Sequence, residues 1–183
     1  MFTTRLLVSI FELGLMIILS GIIISLIYRV FIKANPDFDM EEELARSNVA
    51  VGVLMASILV SSALLLHRGL EASMTMLRLA VTSPSEAALP LWQIALLMLT
   101  HFGLTLAISI VTISVTLRLF GKMARRRNPE MRLGRHLQQG NVAVGLLLAA
   151  AVFISTTYVG EGVSAVTKSL VPQPKIGKIR IMR

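Results

Sequence analysis

Apolar residues occur in four long runs, separated by short polar segments. The runs extend over residues 6–32, 49–66, 91–119 and 142–159. Each contains few charges and is long enough to cross a hydrocarbon layer about 30 Å thick at about 1.5 Å per helical residue. None shows the strict apolar and polar alternation of a membrane barrel strand. The pattern predicts an all-α polytopic membrane protein with four transmembrane helices.

The polar segments contain an internal repeat. Asn-Val-Ala-Val-Gly occurs at 48–52 and again at 141–145, and the Asn-Pro-acid triplet at 35–37 recurs at 128–130 with the same offset. Asn caps helices, Pro fits the first helical position, and an acid suits the positive end of the helix dipole. We therefore predict that helices begin at Pro36 and Pro129. Because each copy crosses the membrane twice, the copies form a parallel tandem repeat of a two-helix hairpin.

The repeat divides the chain into four predicted segments. They are a first two-helix repeat at 1–81, a linker at 82–90, a second two-helix repeat at 91–171 and a basic C-terminal tail at 172–183. The first apolar run is interrupted by Glu12, and no small-residue cleavage pattern follows it. It is therefore interpreted as an uncleaved helix rather than a signal peptide.

Small residues and an Asn share one face of the second helix of each repeat. Residues spaced by four lie on one side of a helix, where small side chains permit close approach and Asn can hydrogen-bond to a neighbouring helix. The favoured interpretation is a helix-packing face, and the alternative is a pair of related ligands near a pore mouth. The face comprises Asn48, Gly52 and Ala56 in the first copy, and Asn141, Gly145 and Ala149 in the second.

Composition and charge agree with a membrane location. The chain is 55% hydrophobic and 15% charged, carries a formal net charge of +8, and contains no cysteine. Its basic residues flank the apolar runs, which favours anionic lipid headgroups over nucleic acid as a partner. The densest group, around Arg125, Arg126 and Arg127, is a candidate lipid- or partner-binding cluster. It also predicts that the turns inside each repeat are cytoplasmic and that both termini lie outside.

Glu12 and His101 are ionisable residues inside the apolar runs. An ionised side chain at the centre of a membrane helix costs about 2.5–3.5 kcal/mol on insertion scales, so such a residue is a functional candidate by default. The repeat offset places Glu12 opposite Thr105, one turn from His101. Glu12 and His101 are therefore candidates for a proton-sensitive or cation-binding pair. Alternatively, Glu12 reaches interfacial water and His101 makes a structural hydrogen bond.

Polar residues continue from His101 along the third apolar run. Their spacing places them on one helix face, which could line an aqueous path in a homo-oligomer. Hydroxyls in membrane helices also bond to their own backbone or to a neighbouring helix, so packing is an equal alternative. Glu161 follows the end of the fourth apolar run and is expected on the same side of the membrane as Glu12. The candidate pathway or ion and proton site comprises Glu12, His101, Thr105, Ser109, Thr112 and Glu161.

Motifs for soluble-type catalysis are missing from the sequence. It has no Gly-rich phosphate loop, metalloprotease motif or nucleophile elbow. His67, His101 and His136 are too scattered to form a metal set. We therefore expect no enzyme activity, no metal and no cofactor.

The duplicated hairpin, with Asn-x-Ala-x-Gly opening the second helix of each copy, resembles the YjfL-like family of bacterial inner-membrane proteins. The resemblance covers roughly residues 13–171. It implies a multi-pass protein of the bacterial plasma membrane, without an established activity, that partners a membrane-stress protein. We predict a small oligomeric channel or transporter subunit. The alternative is a non-transporting membrane scaffold or envelope-stress partner.

Overall fold

The computed structural model describes residues 2–33, 38–82 and 90–170, and this part of the chain contains helices and turns without strands. In chain order, the helices are α1 (Phe2–Ile27), continued by a π-helical segment (Tyr28–Lys33), α2 (Met40–Ala45), α3 (Val49–Thr82), α4 (Leu91–Arg127), α5 (Leu133–Gln138) and α6 (Val142–Leu170). The all-α prediction is confirmed.

Four of these helices are long and apolar enough to span a membrane. The candidate spans are Ser9–Ile32, Val49–Glu71, Trp92–Arg127 and Val142–Val166. Large apolar side chains such as Leu7, Ile17 and Leu99 are more than 60% exposed on α1 and α4. Outward apolar faces of this extent need lipid or another chain to cover them. The prediction of a multi-pass membrane protein is confirmed.

The short helices α2 and α5 precede α3 and α6, and we call their end of the bundle the turn side. The predicted helix start at Pro129 is wrong, because α5 begins at Leu133. A proline disfavours helical geometry in the preceding residue, and Asn128 is accordingly extended where α4 ends. Its Oδ1 accepts a hydrogen bond from the Glu130 amide at 3.2 Å, which makes a turn rather than a helix cap.

The first short helix begins four residues after the other predicted start. Pro36 itself lies outside the described residues, and α2 begins at Met40. Asp39 is its N-cap, and its side chain accepts hydrogen bonds from the amides of Glu41 and Glu42. The predicted linker and tail also fall mainly outside the described part of the chain. Thr82 is the last residue of α3, and Pro90 caps α4.

Each short helix ends in the same way before the long helix that follows. Ser47 has φ of 60°, and Gly140, 93 residues later, has φ of 77°. The next amide, of Asn48 or Asn141, then donates to a carbonyl five residues back at 3.0 or 2.9 Å. This left-handed closure of a helix satisfies its last carbonyls and favours glycine. The chain then turns sharply into the membrane span.

Helices α3 and α6 pack side by side at the centre of the bundle. They touch at Ala50 and Gly145 near their beginnings, and the Ser57 hydroxyl donates to the Ala149 carbonyl at 2.8 Å. Near their far ends, Arg68 bonds to Glu161. Because the contacts advance together along both helices, α3 and α6 run parallel. Helix α4 packs against both, and α1 packs against α3.

Candidate functional site

A set of five buried polar side chains lies on α3 and α4 within the candidate membrane spans. We call it the polar seam, and each of its side chains is at most 7% exposed. Groups of this kind are costly in hydrocarbon unless they are hydrogen-bonded or hydrated. The polar seam consists of Ser61 and Ser62 on α3, and His101, Thr105 and Ser109 on α4.

Close approach of the two helices places the α4 residues of the polar seam. Gly69 on α3 lies against Thr105, so closely that a Cβ at position 69 would overlap the threonine side chain. His101 and Ser109 are four residues before and after Thr105, and so share its helix face. The glycine therefore fixes which face of α4 meets α3.

His101 uses one ring nitrogen and leaves the other without a partner. Nδ1 lies 2.8 Å from the carbonyl oxygen of Leu97. Because a carbonyl only accepts hydrogen bonds, Nδ1 carries a proton and donates it to this bond. Within the described part of the chain, the buried Nε2 has no hydrogen-bond partner.

Three serine hydroxyls in the polar seam also lack a hydrogen-bond partner among the described residues. The Oγ atoms of Ser61, Ser62 and Ser109 are buried, and no partner for them occurs among the described residues. A buried polar group left unsatisfied costs about 1–3 kcal/mol. Such groups are rare in folded proteins and usually indicate an unseen water, ion or functional role. The polar seam therefore holds four polar atoms whose hydrogen-bonding capacity no described residue uses.

The predicted hydroxyl stripe on α4 contains two kinds of residue. Thr105 donates to the His101 carbonyl and Thr116 to the Thr112 carbonyl, both at 2.8 Å, as expected for packing hydroxyls. Thr112 is half-buried. Ser109 and His101 instead retain polar atoms that have no partner among the described residues. Hydrogen bonds within the helix therefore account for the threonines, and the pathway interpretation of the stripe stays a prediction.

Glu12 is buried on α1, at 7% exposure. Its helix packs against α3, whereas His101 lies on α4. No hydrogen bond joins Glu12 to His101, because the histidine ring bonds to Leu97 through Nδ1 and Nε2 has no partner among the described residues. The structure thus buries both predicted site residues without joining them by a hydrogen bond.

Glu161 takes part in an ion pair between α3 and α6. Its Oε1 accepts a hydrogen bond from Arg68 Nη1 at 2.7 Å, and the same nitrogen lies 3.3 Å from the Thr157 carbonyl. The absence of a side chain at Gly160 leaves room for the guanidinium group, which would lie 2.9 Å from a Cβ there. Sequence reasoning missed Arg68, although Arg68 and Glu161 are 93 residues apart and thus occupy equivalent positions.

The two copies of the Asn-Gly-Ala face have different surroundings. In the second, Gly145 and Ala149 lie against α3, and a Cβ at Gly145 would be 2.6 Å from the Ala50 carbonyl oxygen. In the first, Gly52 lies against Leu44, and Ala56 is exposed. Helix α3 meets α6 through other residues, so the face containing Ala56 points outward.

The two asparagines also differ. Both side chains cap their helix, since Oδ1 of Asn48 and of Asn141 accepts from the amide three residues later at 3.3 Å. Asn48 Nδ2 also donates to Glu43 Oε2 at 2.8 Å and to the Leu137 carbonyl at 2.9 Å. It thereby joins α2 and α3 to the end of α5. Asn141 is exposed.

Arg125, Arg126 and Arg127 form the exposed last turn of α4 on the turn side. Arg125 additionally lines a cavity together with Arg118, Arg132 and Arg135. The sequence showed the density of charge here but not which arginines converge. Among the described residues, no group of three potential metal ligands comes together.

Comparison with known proteins identifies the family. A family model described as Domain of Unknown Function (DUF350) matches residues 3–163, and the chain therefore belongs to that family. No match is found among the curated proteins or among the solved structures. The match supports an uncharacterised membrane-protein family, and the narrower YjfL-like resemblance stays a prediction.

Proposed function

We propose that this DUF350 protein is a subunit of a small oligomeric channel or transporter for protons or small cations. The observation that supports it is the set of four buried polar atoms in the polar seam, His101 Nε2 and the Oγ atoms of Ser61, Ser62 and Ser109, which have no partner in the described part of the chain. Packing alone does not account for the serines. Alanine at the same positions would fill nearly the same space without the free-energy cost of burying an unsatisfied hydroxyl.

The chemistry of the polar seam favours a proton or a cation. Serine hydroxyls and a neutral imidazole nitrogen offer lone pairs to a positive ion or a hydrogen-bonded water. Polar residues inside membrane helices commonly mark such pathways. Four helices enclose little volume, so a neighbouring copy of the chain completes the path. In this proposal α1, which carries the buried Glu12 and packs against α3, borders the path.

The proposed architecture is a parallel tandem repeat in the bacterial plasma membrane. The matched positive φ angles at Ser47 and Gly140, and the parallel course of α3 and α6, support a duplicated hairpin. The arginine-rich end of α4 supports a cytoplasmic location for the turn side, with both termini outside, since basic residues are retained on that side.

Ion flux into liposomes tests this proposal. The purified full chain should pass protons or a monovalent cation, and Ser109→Ala or His101→Gln should lower the rate about tenfold, a change of about 1.4 kcal/mol in the barrier. Thr100→Val is the matched control, because Thr100 lies next to His101 but is exposed and bonds to the Leu96 carbonyl. Absence of proton, sodium and potassium flux, or rates that both variants leave unchanged, would overturn the proposal.

A non-transporting scaffold or envelope-stress partner is the second candidate. The exposed arginines at 125–127 favour it, since they offer an accessible basic surface beside the membrane. Replacing all three with Gln should abolish co-purification of a membrane partner, while Ser109→Ala should have no effect. Recovery of the same partner by both variants would count against a role for this surface.

A further inference from the structure

A cavity of about 710 Å³ opens on the turn side, where α4 and α5 meet the central helix pair. Its interior includes Leu54 of α3 and Leu148 of α6, which are buried at 2% and 3% exposure. Arg118, Arg125, Arg132 and Arg135 also line it, and none of the described residues that line it is Asp or Glu. We call it the arginine cavity.

The local fold explains why four arginines converge. Arg118 and Arg125 are seven residues apart on α4 and therefore share one helix face. After the turn at 128–132, α5 packs against α3 and α6, and Arg132 and Arg135 line the same cavity as the two α4 arginines. Gly121 lies between the two α4 arginines, and a Cβ there would have nothing within 4 Å, so the wall at that point is open.

No ion pair among the described residues neutralises these four positive charges. The ion pairs formed within the described residues join Arg46 to Glu42 and Glu43, and Arg68 to Glu161. None involves an arginine of the cavity; Arg125 Nε makes one long bond, 3.4 Å to the Gly121 carbonyl. Convergent unpaired arginines repel one another, and a multiply hydrogen-bonded anion relieves that repulsion.

The corresponding positions in the first half are not basic. Counting back 93 residues from the four arginines gives Ser25, Ile32, Asp39 and Glu42. The arginines are therefore peculiar to the second half and are not needed to build the shared hairpin and turn. Their convergence calls for an explanation other than folding.

We infer that the arginine cavity binds a phosphate group. Arginine guanidinium groups match phosphate oxygens in bidentate geometry, and basic pockets between membrane helices take anionic lipid headgroups. The cavity adjoins the last turns of a candidate span that ends at Arg127, near the expected depth of headgroups. Its apolar interior at Leu54 and Leu148 suits a phosphate attached to an acyl-bearing group. This inference does not depend on ion conduction.

Binding of short-chain lipids to the purified full chain tests the inference. Dihexanoyl phosphatidylglycerol, which is anionic, should bind at least tenfold more tightly than zwitterionic dihexanoyl phosphatidylcholine, as measured by thermophoresis in a neutral detergent. The double variant Arg118→Gln, Arg125→Gln should lower that affinity about tenfold or more. Circular dichroism should show unchanged helix content, since both side chains are exposed.

The double variant Arg126→Gln, Arg127→Gln is the matched control. It removes the same charge from exposed positions near the end of the same helix, but its residues do not line the cavity. It should change the affinity less than threefold, because general attraction between basic protein and anionic lipid is weak for exposed charges in salt. Equal losses in the two double variants, or equal binding of the two lipids together with no binding of pyrophosphate, would overturn the inference.

Pyrophosphate distinguishes the two sources of phosphate. If the ligand is a lipid headgroup, millimolar pyrophosphate displaces phosphatidylglycerol weakly, because it lacks the apolar part. If the ligand is a soluble phosphate, pyrophosphate binds more tightly than the lipid and loses affinity in Arg118→Gln, Arg125→Gln. Either result supports a phosphate site, and failure of both anions to respond to that variant refutes it.

Discussion

The two turns that precede α3 and α6 share a backbone path but carry opposite charge. Helix α2 has three glutamates in its first turn, at 41–43, whereas α5 has Arg132 as its N-cap and Arg135 and His136 in its last turn. Both turns close through a residue with positive φ followed by a capping asparagine. The backbone is therefore specified by the cap and the left-handed residue, and the charges are left to serve other purposes.

The acidic turn uses its charges within the chain. Tyr28 donates to Glu41 at 2.6 Å, Arg46 pairs with Glu42 at 2.6 Å, and Asn48 bonds to the buried Glu43 at 2.8 Å. The N-cap of α5, in contrast, makes no side-chain capping bond. The first turn is thus built for stability, while the second leaves its positive charges for a ligand outside the chain.

We expect the largest difference in the free energy of unfolding between alanine substitutions at the equivalent glycines Gly52 and Gly145. Gly145→Ala would place a Cβ 2.6 Å from the Ala50 carbonyl oxygen, so α3 and α6 must separate. We expect it to lower the free energy of unfolding in detergent by about 3 kcal/mol. In Gly52→Ala, the new Cβ meets Leu44 at an ordinary 3.6 Å, and the free energy of unfolding should rise by up to about 1 kcal/mol. Equal losses would mean that α3 and α6 do not cross at Gly145.

An intermediate effect contrasts Asn48 with Asn141. Asn48→Ala removes a cap and also the Nδ2 bonds that join Glu43 to the end of α5. It leaves the Glu43 carboxylate buried beside Arg46, at 3.6 Å, and should cost about 2 kcal/mol in urea unfolding. Asn141→Ala removes the cap at an exposed site and should cost about 1 kcal/mol. If Asn141→Ala proves the more damaging, Asn48 does not connect the two halves.

The smallest effect contrasts the N-caps of the short helices. Asp39→Ala removes two bonds to the amides of Glu41 and Glu42, at 2.9 and 3.1 Å, and should destabilise α2 by about 1 kcal/mol. Arg132→Ala should leave α5 unchanged, since Arg132 makes no capping bond. Hydrogen exchange at the first amides of α2 and α5 measures both changes. Faster exchange in α5 of Arg132→Ala would show that the arginine serves stability after all.

The four spans could be predicted because lipid acts on each helix separately, so an apolar run is sufficient evidence for a span. The buried polar face of α4 also followed from spacing alone. The start at Pro129 was mistaken, because the Asn-Pro-acid triplet serves equally well to end α4 and form a turn. A local motif does not distinguish these outcomes, which depend on where the preceding helix stops.

Contacts between separate helices could not be predicted from the sequence pattern. The Arg68–Glu161 pair exists because α3 lies parallel to α6, and the arginine cavity exists because α4 and α5 both border the end of that helix pair. The repeat offset did contain a signal for the ion pair, since opposite charges occupy equivalent positions at 68 and 161. This signal predicts an ion pair only if the equivalent helices α3 and α6 are known to be neighbours. That knowledge comes from the three-dimensional structure.

The proposed function requires that water reach the polar seam. The reactivity of a cysteine placed in the polar seam tests this requirement. The chain has no native cysteine, so Ser109→Cys provides a single, nearly isosteric thiol in the buried part of α4. Val111→Cys is the control, because Val111 is 59% exposed on the apolar surface of the same helix. Thiols react with charged methanethiosulfonates as thiolates, which form in water and not in hydrocarbon. In liposomes, we expect the reagent to label the cysteine at 109 and to leave the one at 111 unmodified; an unreactive thiol at 109 would contradict the proposed hydration.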